Sequence, residues 1–110
     1  MIKIQIRRKG RFVTVDVTGH ADAAEHGRDV ICAGVSTLVL TLCETLRSID
    51  AYGFACTLNA GCAHIEFSES RRTRMAVKTV LCGFEMLAGS YPQYIALSVT
   101  GFYINNLPQG

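Results

Sequence analysis

The sequence predicts an α+β fold of two layers, in the order β-β-α-β-β-α-β, with two helices packed on one face of a mostly antiparallel sheet. Short segments that alternate apolar and polar residues occur in adjacent pairs, and each pair is followed by a longer segment with helical periodicity. A chain of 110 residues is long enough for one domain with its own core. We therefore expect residues 1–110 to form a single domain.

The first half of the chain contains a hairpin and a helix. Residues 2–8 and 11–18 alternate apolar and polar side chains, which predicts two strands joined by a turn at residues 9–10. From residue 29 to about residue 51, apolar residues recur at helical spacing. Several faces of this helix are apolar, so it should be covered on more than one side.

The second half repeats this order and adds one strand. The predicted elements are strands at 54–58 and 62–67, a helix at 71–88 and a strand near 94–100. Ser70 is the expected N-cap of the second helix and Gly89 its stop.

Composition narrows the class of function. Hydrophobic residues make up 49% and charged residues 18% of the chain, which indicates that a further apolar face is covered in a homo-oligomer. A net charge of +2 is small for a protein that binds nucleic acid directly. Five cysteines without paired spacing favour reduced thiols in the cytoplasm, and no apolar run predicts a membrane helix.

The segment "GHADAAEHGRDVICAGVS", residues 19–36, concentrates the reactive side chains. With a helix that begins near Asp29, Cys32 lies in the first turn, where free backbone N–H groups and the helix dipole favour a thiolate. The same N–H groups would face a developing oxyanion. His20, at the other end of the intervening loop, is then a candidate general base and acid for the thiol.

Three neighbouring side chains have more than one interpretation. Asp29 is either the N-cap of the helix or the group that orients His20. Ser36, one turn after Cys32, either supports the site or hydrogen-bonds back to a helical carbonyl. His26 is expected to be solvated, although it is a rival base.

The remaining cysteines and the third histidine have structural interpretations. His64 is expected to be a surface or cross-strand residue. The cysteine and histidine spacing matches no metal site, and the sequence predicts neither a metal nor another cofactor. The expected core cysteines are Cys43, Cys56, Cys62 and Cys82.

The same segment resembles the signature of the ribosomal-processing cysteine protease family, Prp. That signature is Gly-His, then Gly-x-Asp, then a hydrophobic residue followed by Cys-Ala-x-Val-Ser. The matching residues are Gly19, His20, Gly27, Asp29, Cys32, Ala33, Val35 and Ser36.

This resemblance implies a cytoplasmic, dimeric protease. Its substrate would be large-subunit ribosomal protein twenty-seven, from which it removes a short N-terminal extension. Cys32 would be the nucleophile and His20 the general base and acid, with Gly19, Asp29 and Ser36 as supporting positions. The family's flexible loop would correspond to residues 21–28 and become ordered around the substrate.

Two other functions remain open from the residues alone. A non-catalytic, ribosome-associated binding module would use arginine clusters on RNA phosphates or on protein. A redox-sensing thiol at Cys32 is the third hypothesis, and the sequence shows no cysteine placed to resolve it. The clusters that would serve the binding module are Arg7, Arg8, Lys9 and Arg11, and Arg71, Arg72 and Arg74.

Overall fold

A computed structural model describes residues 1–20 and 25–102, with the side chains of residues 25–29 outside the description. The elements follow the predicted order. They are β1 (Ile2–Lys9), β2 (Phe12–Thr18), α1 (Glu25–Ser48), β3 (Ala55–Asn59), β4 (Cys62–Ser68), α2 (Arg71–Ser90) and β5 (Ile95–Thr100).

The five strands form one sheet in the order β3-β4-β2-β1-β5. Neighbouring strands are antiparallel except for β1 and β5, which are parallel with Ile2 opposite Ile95. The predicted hairpins β1–β2 and β3–β4 are both confirmed, and β2 pairs with β4 to join them. β5 can pair in parallel because the α2 crossover carries the chain from β4 to the far edge of the sheet.

The core lies between one face of the sheet and the two helices. Alternate residues are buried over most of β1, β2 and the second half of β4, while the residues between them are more exposed, as the period of two requires. Buried α1 and α2 side chains join these strand residues in one apolar cluster. The predicted two-layer arrangement is therefore confirmed. The largest fully buried side chains of the core are Phe67, Phe84, Ile4, Ile6, Ile31, Leu42, Leu46 and Ile65.

Two glycines allow the helices to approach closely. A Cβ at Gly83 would lie 2.7 Å from a methyl group of Leu38, and one at Gly34 would lie 3.3 Å from a methyl group of Leu87. Each leucine of one helix thus packs where the other helix has no side chain. The lower helix propensity of Gly34, about 1 kcal/mol relative to alanine, is offset by this packing.

Three of the predicted helix boundaries need correction. α1 begins at Glu25 rather than near Asp29, and it ends at Ser48 rather than near residue 51. α2 continues through the predicted stop at Gly89 to Ser90, because the Tyr91 N–H donates to the Leu87 carbonyl and closes one more turn. A single glycine lowers helix stability too little to end a helix that tertiary packing supports.

The predicted N-cap of α2 is confirmed. The Ser70 hydroxyl accepts a hydrogen bond from the Thr73 N–H at 3.2 Å, and the Ser70 N–H donates to the Thr73 hydroxyl at 2.8 Å. This reciprocal pair is a capping box, and it accounts for the burial of Thr73.

One part of α1 has the length and composition of a membrane helix, contrary to the sequence prediction. Residues Val30–Ser48 have a mean hydropathy of 1.5. The central helix of a small two-layer domain meets the same criterion, since it packs apolar side chains against a sheet and a second helix. Ile31, Val35 and Leu46 of this stretch are buried in the core.

Candidate functional site

A cavity of about 210 Å³ opens between α1 and one end of the sheet. At this end β2 finishes while β1 and β4 begin. Both His20 and Cys32 line the cavity, together with Gly19 and Ser36. The structure therefore places four of the five predicted site residues around one space. Its other lining residues are Ile2, Val17, Val35, Val39, Leu40, Leu58, Asn59, Gly61, Cys62 and Ala63.

His20 directly follows the glycine that ends the β2–β4 pairing. The Gly19 N–H donates to the Gly61 carbonyl at 2.9 Å, one position beyond the last paired residues of the two strands. Gly19 has a φ of +95°, and a Cβ there would collide with the Met1 carbonyl oxygen. Position 19 therefore requires glycine for both reasons, and the backbone that leads into the exposed His20 is fixed at the cavity.

Cys32 is half-buried on α1 and packs against the edge of the core. The prediction that it lies in the first turn is wrong, because α1 begins seven residues earlier, at Glu25. Seven residues are about two helical turns, and only the first four N–H groups of a helix lack an intrahelical partner. The free N–H groups therefore cannot be assigned to Cys32 or to an oxyanion beside it.

Ser36 is exposed and lines the same cavity one turn after Cys32. The hydroxyls of Thr37 and Thr41 donate to carbonyls four residues earlier, whereas within the described part of the chain the Ser36 hydroxyl forms no such bond. This arrangement favours the interpretation of Ser36 as a neighbour of the site over back-bonding in the helix.

Other predictions for this segment lie wholly or partly outside the described residues. The side chains of Asp29 and His26 are not among those described. Because α1 already begins at Glu25, the prediction that Asp29 is its N-cap is wrong, and the orientation of His20 by Asp29 stays a prediction. Of the predicted loop, residues 25–28 belong to α1, which corrects the expected loop of 21–28, and residues 21–24 lie outside the description.

The other cysteines divide into two groups, and all five are free thiols. Cys43 is buried as predicted, and burial together with a hydrogen bond to Cys56 raises the pKa of its thiol to about 12. The prediction of core positions is wrong for Cys62 and Cys82, which are exposed. Cys62, the first residue of β4, lines the same cavity as Cys32, and Cys82 lies on the outer side of α2.

His64 forms a separate cluster on the open face of the sheet. Its Nδ1 lies 2.5 Å from an Asp16 carboxylate oxygen on β2, and its Nε2 lies 2.9 Å from a Glu66 carboxylate oxygen. Hydrogen bonding to Asp16 and then to Glu66 raises the pKa of His64. The cross-strand prediction is confirmed, and this histidine is directed away from the cavity that Cys32 lines.

Sequence reasoning missed the β3–β4 turn as part of the site. Asn59, at the end of β3, and Gly61, in the turn, line the cavity, although they are about 40 residues beyond His20 in the chain. The signal that points to them is the pairing of β2 with β4, which aligns the end of one strand with the start of the other. Among the described residues, no group of three His, Cys, Asp or Glu side chains is placed to hold a metal ion.

Comparison with known proteins identifies the family. A family model for the cysteine protease Prp matches residues 1–96. The chain belongs to the Prp cysteine protease family. The Prp of Bacillus subtilis, a ribosomal processing cysteine protease, is 31% identical over 104 residues that cover 83% of this chain and 90% of the relative. That of Staphylococcus aureus is 23% identical over 88% of this chain and 95% of the relative.

Solved structures share the fold. The Staphylococcus aureus Prp with a covalently linked product peptide has a TM-score of 0.78 at 23% identity and covers 90% of this chain and 99% of its own. A Streptococcus mutans protein has a TM-score of 0.72 at 24% identity and covers 92% and 96%. Membership in the Prp family makes this chain a cysteine protease. It thereby decides against the non-catalytic binding module that the residues alone left open.

Proposed function

We propose that this protease removes an N-terminal extension from large-subunit ribosomal protein twenty-seven, with Cys32 as nucleophile and His20 as general base and acid. The observation that carries the proposal is that His20 and Cys32, twelve residues apart in the sequence, line one cavity. The relatives named ribosomal processing proteases support the substrate class.

The chemistry begins with a peptide carbonyl placed beside Cys32. The sulfur attacks the carbonyl carbon while its proton passes to the His20 imidazole. When the tetrahedral intermediate collapses, the peptide C–N bond breaks, and His20 donates the proton to the leaving amine. That amine becomes the new N-terminus of the ribosomal protein, and the extension stays on Cys32 as a thioester.

The second half of the reaction restores the enzyme. His20 takes a proton from water as the water attacks the thioester carbonyl. The extension leaves with a free carboxylate, and the Cys32 thiol regains its proton. Water is the only further reactant, so the proposal includes no cofactor.

The walls of the cavity match an apolar peptide segment. Leu40 and Leu58 are 51% and 43% exposed at its rim, and Val35 and Val39 lie deeper. We assign these side chains to the groove that holds the extension beside the cut. Gly19 supports this arrangement through the backbone of His20, and Ser36 and Asp29 are proposed as supporting positions.

The proposal also includes a cytoplasmic homodimer. Large apolar side chains outside the cavity are exposed on both helices, with Val30 63%, Met75 67% and Met86 74% exposed, and their exposure favours a protein partner. Light scattering at micromolar concentration should give twice the mass of the chain, and a monomer at every concentration would contradict this part of the proposal.

The test is cleavage of the source's own unprocessed ribosomal protein twenty-seven, followed by mass spectrometry. Wild-type protein should produce one cut near the N-terminus, and Cys32→Ser and His20→Ala should produce none. Cys82→Ser is the matched control, because Cys82 is exposed on α2 and away from the cavity, and it should cleave like wild type. An intact substrate with the wild-type protein, or cleavage by Cys32→Ser, would overturn the proposal.

A further inference from the structure

Gly61, in the turn between β3 and β4, lies directly against the ring of His20. A Cβ placed on Gly61 would lie 2.8 Å from the His20 Nε2 and 3.1 Å from its Cε1. Both distances are shorter than normal van der Waals contact. The imidazole thus occupies the space that any side chain at position 61 would enter.

The backbone of Gly61 contacts the same segment. Its carbonyl oxygen accepts the hydrogen bond from the Gly19 N–H at 2.9 Å. One residue of the turn therefore fixes the chain immediately before His20 and limits the position of the His20 ring. The turn and the end of β2 are held together by the β2–β4 pairing, which ends with Thr18 opposite Cys62.

A positive φ explains a glycine in this turn, although it does not explain the contact with His20. Gly61 has a φ of +73° and Gly10, in the β1–β2 turn, has a φ of +63°. A Cβ on Gly10 would meet no atom within 4 Å. The two glycines therefore meet the same backbone requirement, and of the two only Gly61 adjoins an imidazole.

We propose that Gly61 is a positioning residue of the protease, which seats the His20 imidazole at the cavity by its lack of a side chain and by its carbonyl bond to Gly19. This inference rests on the proposed function, since it concerns the residue assigned as general base. The ring is exposed on its other side, so a side chain at position 61 would push it outward from the seat. Displacing a reacting group by about 1 Å can lower the rate of the chemical step by about 100-fold.

The experiment compares Gly61→Ala with Gly10→Ala in the full chain. Both variants force alanine into a left-handed backbone conformation and should lose similar thermal stability. Gly61→Ala should lower kcat for the ribosomal protein precursor by about 10-fold to 100-fold with KM changed less than about threefold. Gly10→Ala should keep both constants within about twofold of wild type.

A second variant separates the effect of the Cβ on His20 from the effect of backbone strain. Asparagine adopts a positive φ more readily than alanine but still carries a Cβ. Gly61→Asn should therefore fold and still show the loss in kcat. Full activity in either Gly61 variant, or failure of Gly61→Asn to fold, would overturn the positioning role.

The His20→Ala background shows whether Gly61 acts through the imidazole. The rate at which iodoacetamide alkylates Cys32 should fall in His20→Ala and in Gly61→Ala, and the double variant should react no more slowly than His20→Ala alone. Additive losses would contradict the positioning role while leaving the dyad intact. Wild-type cleavage by His20→Ala would instead refute the proposed function itself.

Discussion

Cys43 should be nearly inert toward alkylating reagents in the folded protein. It is 1% exposed in the core, and burial, with the hydrogen bond to Cys56 as the second cause, raises its pKa from 9.0 to about 12. At pH 8 the thiolate fraction falls from about one in ten to about one in ten thousand, because each unit of pKa changes it about tenfold. The pKa alone predicts alkylation about 1,000-fold slower than for an ordinary thiol.

The assay is iodoacetamide labelling at pH 8, with the modified cysteines located by peptide mass spectrometry over time. Exposed Cys82 provides the reference rate in the same sample. In concentrated urea the two cysteines should react at similar rates, which controls for local sequence effects. Native Cys43 labelling within about tenfold of Cys82 would refute the reasoning, since it would mean that the thiol is neither buried nor raised in pKa.

Three further predictions concern stability. The folded pKa of His64 lies above its ordinary 6.5, so its contribution to the free energy of unfolding should be complete below about pH 6.5 and lost as the pH rises through the folded value. Because the side chain is 39% exposed, His64→Gln should lower this free energy by less than about 1 kcal/mol, and only on the acid side. An equal loss at pH 6 and pH 9 in urea melts would contradict this. Phe84→Ala should lower the free energy of unfolding by about 3–5 kcal/mol because the ring is fully buried. A loss below about 1 kcal/mol would show that the ring is not in the core. Ser70→Ala should cost about 1 kcal/mol by removing the bond to the Thr73 N–H, whereas Ser90→Ala at the other end of α2 should be nearly neutral.

The order and type of the elements could be predicted from local patterns. Alternation in β1, β2 and β4 reflects a sheet with one buried face, so the period of two is visible in the sequence. Ser70 could be identified as an N-cap because the capping box is formed by residues three apart. The parallel pairing of β1 with β5 joins the two ends of the chain and leaves no comparable local signal.

The start of α1 could not be predicted because Asp29 resembles an N-cap while the helix continues before it. Glu25 is a good helix former, and one glycine at position 27 lowers helix stability by only about 1 kcal/mol relative to alanine. Packing along a helix of 24 residues can offset this loss. The same error placed Cys32 in the first turn. His20 and Cys32 nevertheless line one cavity, and their roles as base and nucleophile stay a prediction that the resemblance to the Prp signature supports wherever the helix begins.

The errors at Cys62 and Cys82 have a different physical reason. Cysteine is small and apolar, so it fits both a core and a partly exposed surface, and its presence in an apolar pattern does not decide between them. Cys62 begins β4 at an exposed position, and Cys82 lies on the outer side of α2. Gly61 was missed because its contact with His20 depends on the register between β2 and β4.

Trapping the acyl-enzyme tests the role of Cys32 as nucleophile most directly. The unprocessed ribosomal protein is mixed with an excess of enzyme and quenched in acid within one turnover, and the Cys32 peptide is then measured by mass spectrometry. A thioester adduct should form on Cys32 with the mass of the N-terminal extension less one water, and it should be absent in Cys32→Ser and unaffected by Cys82→Ser. Cleavage that proceeds in Cys32→Ser, or an adduct carried by another cysteine, would contradict this role.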